Sequence, residues 1–213
     1  MNRTYLRRAL RVGVSLAVVV GLAACGSDHP SGAGHDTPGT PSASAISGES
    51  AASNAADRMF AQMMIPHHEQ AVEMSDLAAT RASDPEVKQL AAQIKDAQAP
   101  EIAQLRTWLT QWGAPMPSAT ADGHGTEHGT PDMDYEMPGM MSDADLARLT
   151  AAAGTEFDRQ FLTMMIAHHE GAITMSEEEV AQGVNPDAKA LAQQIISTQQ
   201  SEIDTMKRIL TRI

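Results

Sequence analysis

The sequence predicts an all-α fold, a bundle of four long helices made from one helical hairpin used twice. Three observations carry this. First, residues 57–75 (DRMFAQMMIPHHEQAVEMS) recur without a gap as residues 158–176 (DRQFLTMMIAHHEGAITMS). The match runs on to the C-terminus with roughly 23 identities in about 56 aligned positions, the self-similarity of a repeated supersecondary unit. Second, each copy carries two helix-start signals at helical spacing. Third, the chain has few β-branched runs and only 3% aromatics, so its core must be built from Ala, Leu, Ile and Met. About 130 residues of folded chain suffice for one domain with a real core.

Residues 1–24 read as an export signal and not as part of the fold. Arg3, Arg7, Arg8 and Arg11 form a positive segment, Val12 to Ala24 an apolar one too short for an ordinary spanning helix. Leu22-Ala23-Ala24-Cys25 resembles a bacterial lipobox, in which the cysteine becomes the lipidated N-terminus. Cys25 is the only cysteine, which excludes a disulfide framework and a thiolate metal cluster. The expectation is an extracytoplasmic lipoprotein held at the cell membrane by its acyl chains alone. Loss of the four arginines takes the net charge from −12 to about −16, which argues against nucleic acid or an anionic lipid surface as a partner. Residues 25–49, rich in Ser, Gly, Pro, Thr and Ala, cannot bury enough apolar area to order themselves and read as a flexible tether.

The bundle is expected over residues 50–213, with hairpins at 54–112 and 142–213. The first helix starts near Asn54 and runs to about Ala82. The second opens on Asp84 as N-cap with Pro85 at the first helical position, and stops at Trp112 before Gly113 and Pro115. The second unit repeats this, with Gly183 closing one helix and Asn185-Pro186-Asp187 opening the last. Ser142 and Asp145 form a capping box before an extra lead-in helix, and Gly154 is expected to kink that helix before Phe157. Pro66 and Pro100, which face Ala167 and Ser201 in the other copy, predict local kinks in the first unit.

The connector, residues 113–141, carries His124, His128 and five methionines (Met116, Met133, Met137, Met140 and Met141) in a polar loop with little core to fill. It reads as a loose site for a soft metal.

The two copies agree best at their His-His pairs. Met63, Met64, His67, His68 and Met74 fall within about 140° of one helical face, as do Met164, Met165, His168, His169 and Met175. A thioether and an imidazole one turn apart can close on a single ion. Counting outward from the hairpin turns places the histidines opposite Gln98 to Glu101 and Gln199 to Glu202. Buried carboxylates and imidazoles need partners, so Gln98, Glu101, Gln199 and Glu202 are candidates for orienting the imidazoles from behind. Thioether plus imidazole without thiolate suits Cu(I), and by extension Ag(I). Zinc prefers cysteine or more histidine and carboxylate. A di-iron centre would need Glu-x-x-His, and Met64, Ile65, Met165 and Ile166 stand where the glutamates should be.

The patterns FDRQFLTMMIAHHEGAITM and NPDAKALAQQIISTQQSEIDTM closely resemble the bacterial domain-of-unknown-function family 305. The resemblance covers about Asn54 to Trp112 and Ser142 to Ile213. It implies a ferritin-like four-helix bundle, an exported protein, and copper binding through the His-His and Met positions. The first copy departs from the second with Gln70 for Gly171 and Leu105 for Met206, which implies that its site is the weaker one.

The function expected is Cu(I) binding for buffering, storage or transfer, without an organic cofactor. No nucleophile motif is present, so no enzyme is expected. Two alternatives remain open. One is a ferritin-like metal oxidase using the same histidines with Glu69, Glu101, Glu170 and Glu202. The other is a structural or interaction module whose histidines are satisfied core groups. The expected partners are a metal ion and, through the lipid only, the membrane. A copper-handling protein and a second copy of the chain are left open.

Overall fold

Four long helices and one short one follow from the local signals. In a computed structural model, which describes residues 52–117 and 137–213, they are α1 (Ala55–Arg81), α2 (Pro85–Gln111), α3 (Asp143–Ala151), α4 (Gly154–Gln182) and α5 (Pro186–Leu210). No strand occurs among the described residues. The expected signal peptide, Cys25, the tether and the connector residues His124, His128 and Met133 lie outside them.

Four of the five described helix starts carry a side-chain cap. Asn54 and Asp57 form a reciprocal capping box at α1, and Ser142 and Asp145 one at α3. Asp84 and Asn185 accept from the first free N–H groups of α2 and α5, each followed by proline at the first turn. Pro66 and Pro100 lie inside helices that run on unbroken past them. Gly154 does more than kink a helix. Its φ of +65° falls where L side chains are strained, and α3 and α4 are separate helices on either side of Ala152 and Ala153.

The two hairpins, α1–α2 and α4–α5, meet through α1 and α4, and α2 and α5 flank that pair. The first residue of each repeat ties the turn of the other hairpin. Asp57 Oδ1 accepts from the backbone N–H of Val184 (3.1 Å) and Asn185 (2.9 Å). Asp158 accepts from Ser83 N–H (3.1 Å), Asp84 N–H (3.0 Å) and the Ser83 hydroxyl. Both aspartates are buried. Burial alone would push the Asp57 carboxyl up, but hydrogen bonds from the N–H groups of Asn54 and Asn185, from the Glu179 carboxyl and from Val184 N–H outweigh it and bring it below the usual carboxylate range.

The core is divided in two. One apolar cluster joins the C-terminal half of α1 (Ala71, Met74, Ala78) to the N-terminal half of α4 (Phe157, Phe161, Met165). The other joins Phe60, Met64 and Ile65 of α1 to Ala172 and Met175 of α4. α2 and α5 contribute to both, Ile94 and Ile203 to the first, Leu105 and Ile195 to the second. The sequence positions between these clusters are polar: His67, His68 and Gln98 in one hairpin, His168, His169 and Gln199 in the other, all at most 2% exposed. A polar layer therefore crosses the waist of an otherwise apolar bundle.

Candidate metal centre

All four histidines are fully buried. The hairpin register sets His68 against Glu101 and His169 against Glu202, with Nε2 to Oε2 separations of 2.8 and 2.7 Å. A carboxylate can only accept, so each Nε2 carries the hydrogen and each Nδ1 keeps a free lone pair. His67 follows the same rule with a different partner, since its Nε2 donates to the backbone oxygen of Pro138 at 3.1 Å. His168 has no partner on either nitrogen, and the Nδ1 atoms of His67, His68 and His169 have none either.

His67 and His168 meet across the α1–α4 seam with ring centroids 3.7 Å apart and planes tilted by 35°. His68 and His169 stand farther out, 6.5 and 6.4 Å from their sequence neighbours. Burial, then the neighbouring histidine, drives the His67 pKa down from 6.5 to about 3, against a smaller upward pull from the Pro138 carbonyl. Burial first, and then His67, likewise hold His168 well below its ordinary value. Both rings are neutral at pH 7, the form that binds metal.

Gln98 and Gln199 lie in the same layer with both side-chain polar atoms unpartnered, and the Ser75 and Ser176 hydroxyls are unpartnered as well. These residues are related in pairs by the repeat. Buried polar groups are normally satisfied, and this set is concentrated where the two hairpins face each other. Among the described residues no three His, Cys, Asp or Glu side chains converge on one point. Imidazole nitrogens come in pairs there, with methionine thioethers in the apolar clusters on either side.

The methionines divide. Met64 and Met165 are fully buried and flank the polar layer from opposite sides. Met74 shares a cluster with Met165, and Met175 one with Met64, each late methionine lying with the early methionine of the other copy. Met63 and Met164 are half-buried and line surface grooves. Glu69 and Glu170 point away from the layer; they are exposed and pair with Arg106 and Lys207.

Sequence reasoning missed the strap over the histidines. Residues 137–141 (MPGMM) cross the α1–α4 seam beside the His67–His168 pair. On one side Gln70 grips the strap twice, with Nε2 donating to Met141 O (2.9 Å) and Met141 N–H donating to Oε1 (2.7 Å). On the other side Gly171 makes room, because a Cβ there would lie 1.9 Å from Pro138 O. Gly139, at φ +77°, is also pressed close, 2.5 Å from Ala167 O for a Cβ. The contrast between Gln70 and Gly171 was visible in the repeat, and it marks the two footings of one strap.

Fold and site together describe an internally duplicated helical bundle with a buried layer of histidines at its waist. The chain belongs to the DUF305 family (domain of unknown function), whose match covers residues 57–210. It is similar to a DUF305 protein from Streptomyces coelicolor, with 33% identity, 74% of this chain and 93% of that one covered, and a TM-score of 0.65. A DUF305 fragment from Deinococcus radiodurans gives 32% identity over 76% and 99% of the two chains, with a TM-score of 0.63. CopM, solved with Cu(I), Cu(II) and Ag bound and in the apo form, is 31% identical in its Cu(I) form over 73% of this chain and 96% of CopM, with a TM-score of 0.59. Protein L153 of Acanthamoeba polyphaga mimivirus is 49% identical over 53 residues, and the match spans only 35% of it.

Proposed function

We propose that this protein is a lipid-anchored, extracytoplasmic Cu(I)-binding protein that buffers, stores or passes on copper. One observation carries the reading: four buried imidazoles, each with an unpartnered Nδ1, between two methionine-containing clusters. Imidazole and thioether donors without thiolate favour a soft monovalent ion. Glu101 and Glu202 hold His68 and His169 by Nε2, so that Nδ1 is the nitrogen offered to the metal. The likeness to CopM, solved with Cu(I), Cu(II) and Ag bound, supports copper as the metal without choosing its oxidation state.

The test is an anaerobic Cu(I) titration against a chromophoric competitor, for the wild type and for a variant with His67, His68, His168 and His169 all replaced by Ala. Loss of tight binding in a variant that still folds supports the proposal. Absence of competition in the wild type refutes it and turns the polar layer into a structural feature. The metal-oxidase alternative draws less support, because Glu69 and Glu170 are committed to exposed ion pairs. Copper- or iron-dependent oxygen consumption would revive it.

A further inference from the structure

The two repeats match well enough for their differences to be informative, and three of those differences fall in one place. A pocket of about 180 Å³ between α1 and α4 is lined by Met59, Met63, Met175, Glu178 and Glu179, and by no histidine. In the other copy Gln160 stands at the position of Met59, Leu77 at that of Glu178, and Ala78 at that of Glu179. Met63 and Met175 recur as Met164 and Met74, but Met59 and Glu179 have no thioether or carboxylate counterpart, so the full donor set occurs once.

The helical spacing suits a shared ion. Met59 and Met63 are one turn apart on α1, and Met175 and Glu179 one turn apart on α4. Met59 is 40% exposed, an uncommon setting for a large apolar side chain on a helix whose repeat carries glutamine there. Glu179 is only 1% exposed, and its carboxyl lies at the pocket wall against that of Asp57, its one side-chain hydrogen-bond partner there. Gly183 keeps space for it, because a Cβ there would lie 2.2 Å from Glu179 Oε1.

We propose that this pocket is a second metal site, in which Met59, Met63 and Met175 supply thioethers and Glu179 a carboxylate to a soft monovalent cation of the Cu(I) or Ag(I) class. Three thioethers select for softness, and the Glu179 carboxyl, which releases its proton as the ion enters, supplies the balancing charge, whereas the harder divalent ions require several oxygen donors. The site takes its ion class from the proposed soft-metal function but shares no histidine with the waist, so the two can fail separately. Met63 and Met175, which the sequence groups with the histidines, belong to this pocket.

The experiment is an Ag(I) titration of the full-length protein labelled with 13C at the methionine methyls, followed by NMR, in the wild type, the four-His variant and Met59→Leu/Glu179→Gln. Met59→Leu keeps apolar bulk and Glu179→Gln keeps volume, so both preserve packing. The expected result is one Ag(I) equivalent that shifts the Met59, Met63 and Met175 methyls, survives in the four-His variant and is lost in Met59→Leu/Glu179→Gln. Methyls that stay unmoved while a histidine-dependent equivalent binds would overturn the second site and leave the first. Binding of as many equivalents by Met59→Leu/Glu179→Gln as by the wild type would overturn it too.

Discussion

Glu179 offers a quantitative test of the core in the metal-free protein. Its carboxyl is buried and faces that of Asp57, and two ionised carboxylates cannot donate to each other. Burial first, and then Asp57, push its pKa up from 4.5 to about 8. Between those values the native state keeps a proton that the unfolded chain has released. Stability therefore falls as pH rises through this window, and outside it Glu179 adds no further slope. Each pK unit corresponds to about 1.4 kcal/mol, which bounds the loss at about 5 kcal/mol. The adjoining pocket lets water near the group, and a loss on the order of 3 kcal/mol is expected. Glu179→Gln keeps the volume, cannot ionise, and can donate to Asp57. Urea unfolding followed by Trp108 and Trp112 fluorescence at about pH 5, 6.5 and 8.5 reads the difference. The midpoints of wild type and variant should lie close together at the acid end and separate in favour of the variant at the alkaline end, with the same m. Parallel curves across the range would mean that Glu179 is ionised in the native state, and the reasoning would fail.

The remaining predictions concern the waist and its supports. His67, with its pKa lowered from 6.5 to about 3, and His168, also lowered, refuse protons that the unfolded chain accepts. Their contribution to apo stability is present above pH 6.5 and is lost on acidification at up to about 1.4 kcal/mol per pH unit for each ring. Placing His67→Gln and His168→Gln in the Glu179→Gln background should flatten that acid limb in urea melts. Gly171→Ala drives a methyl into Pro138 O and should cost about 1–3 kcal/mol as overpacking. It should also speed hydrogen exchange at the Met141 amide that Gln70 holds, and unchanged exchange would mean that the strap does not depend on Gly171. Asp158→Ala strands the Ser83 and Asp84 N–H groups and should cost about 3 kcal/mol, more than Asp158→Asn, which keeps an acceptor. Thermal melts of the two variants decide this.

The duplication, the helix limits other than the break between α3 and α4, and the register within each hairpin were legible in the sequence. Capping and helical periodicity act over a few residues, and a short turn fixes which residues of two antiparallel helices face each other. Counting from Asp84 was therefore enough to bring Glu101 to His68. What joins the hairpins emerged only from the packing of the whole chain. The stacking of His67 on His168, the reciprocal hold of Asp57 and Asp158 on the opposite turns, and the strap gripped by Gln70 link residues about 70 to 130 positions apart. No local pattern specifies such pairs, because they follow from how two nearly equal apolar faces settle against each other. The same packing separated the methionines. Met64 and Met165 flank the imidazoles, whereas Met63 and Met175 line a pocket with Glu179, a division that spacing along a single helix cannot reveal.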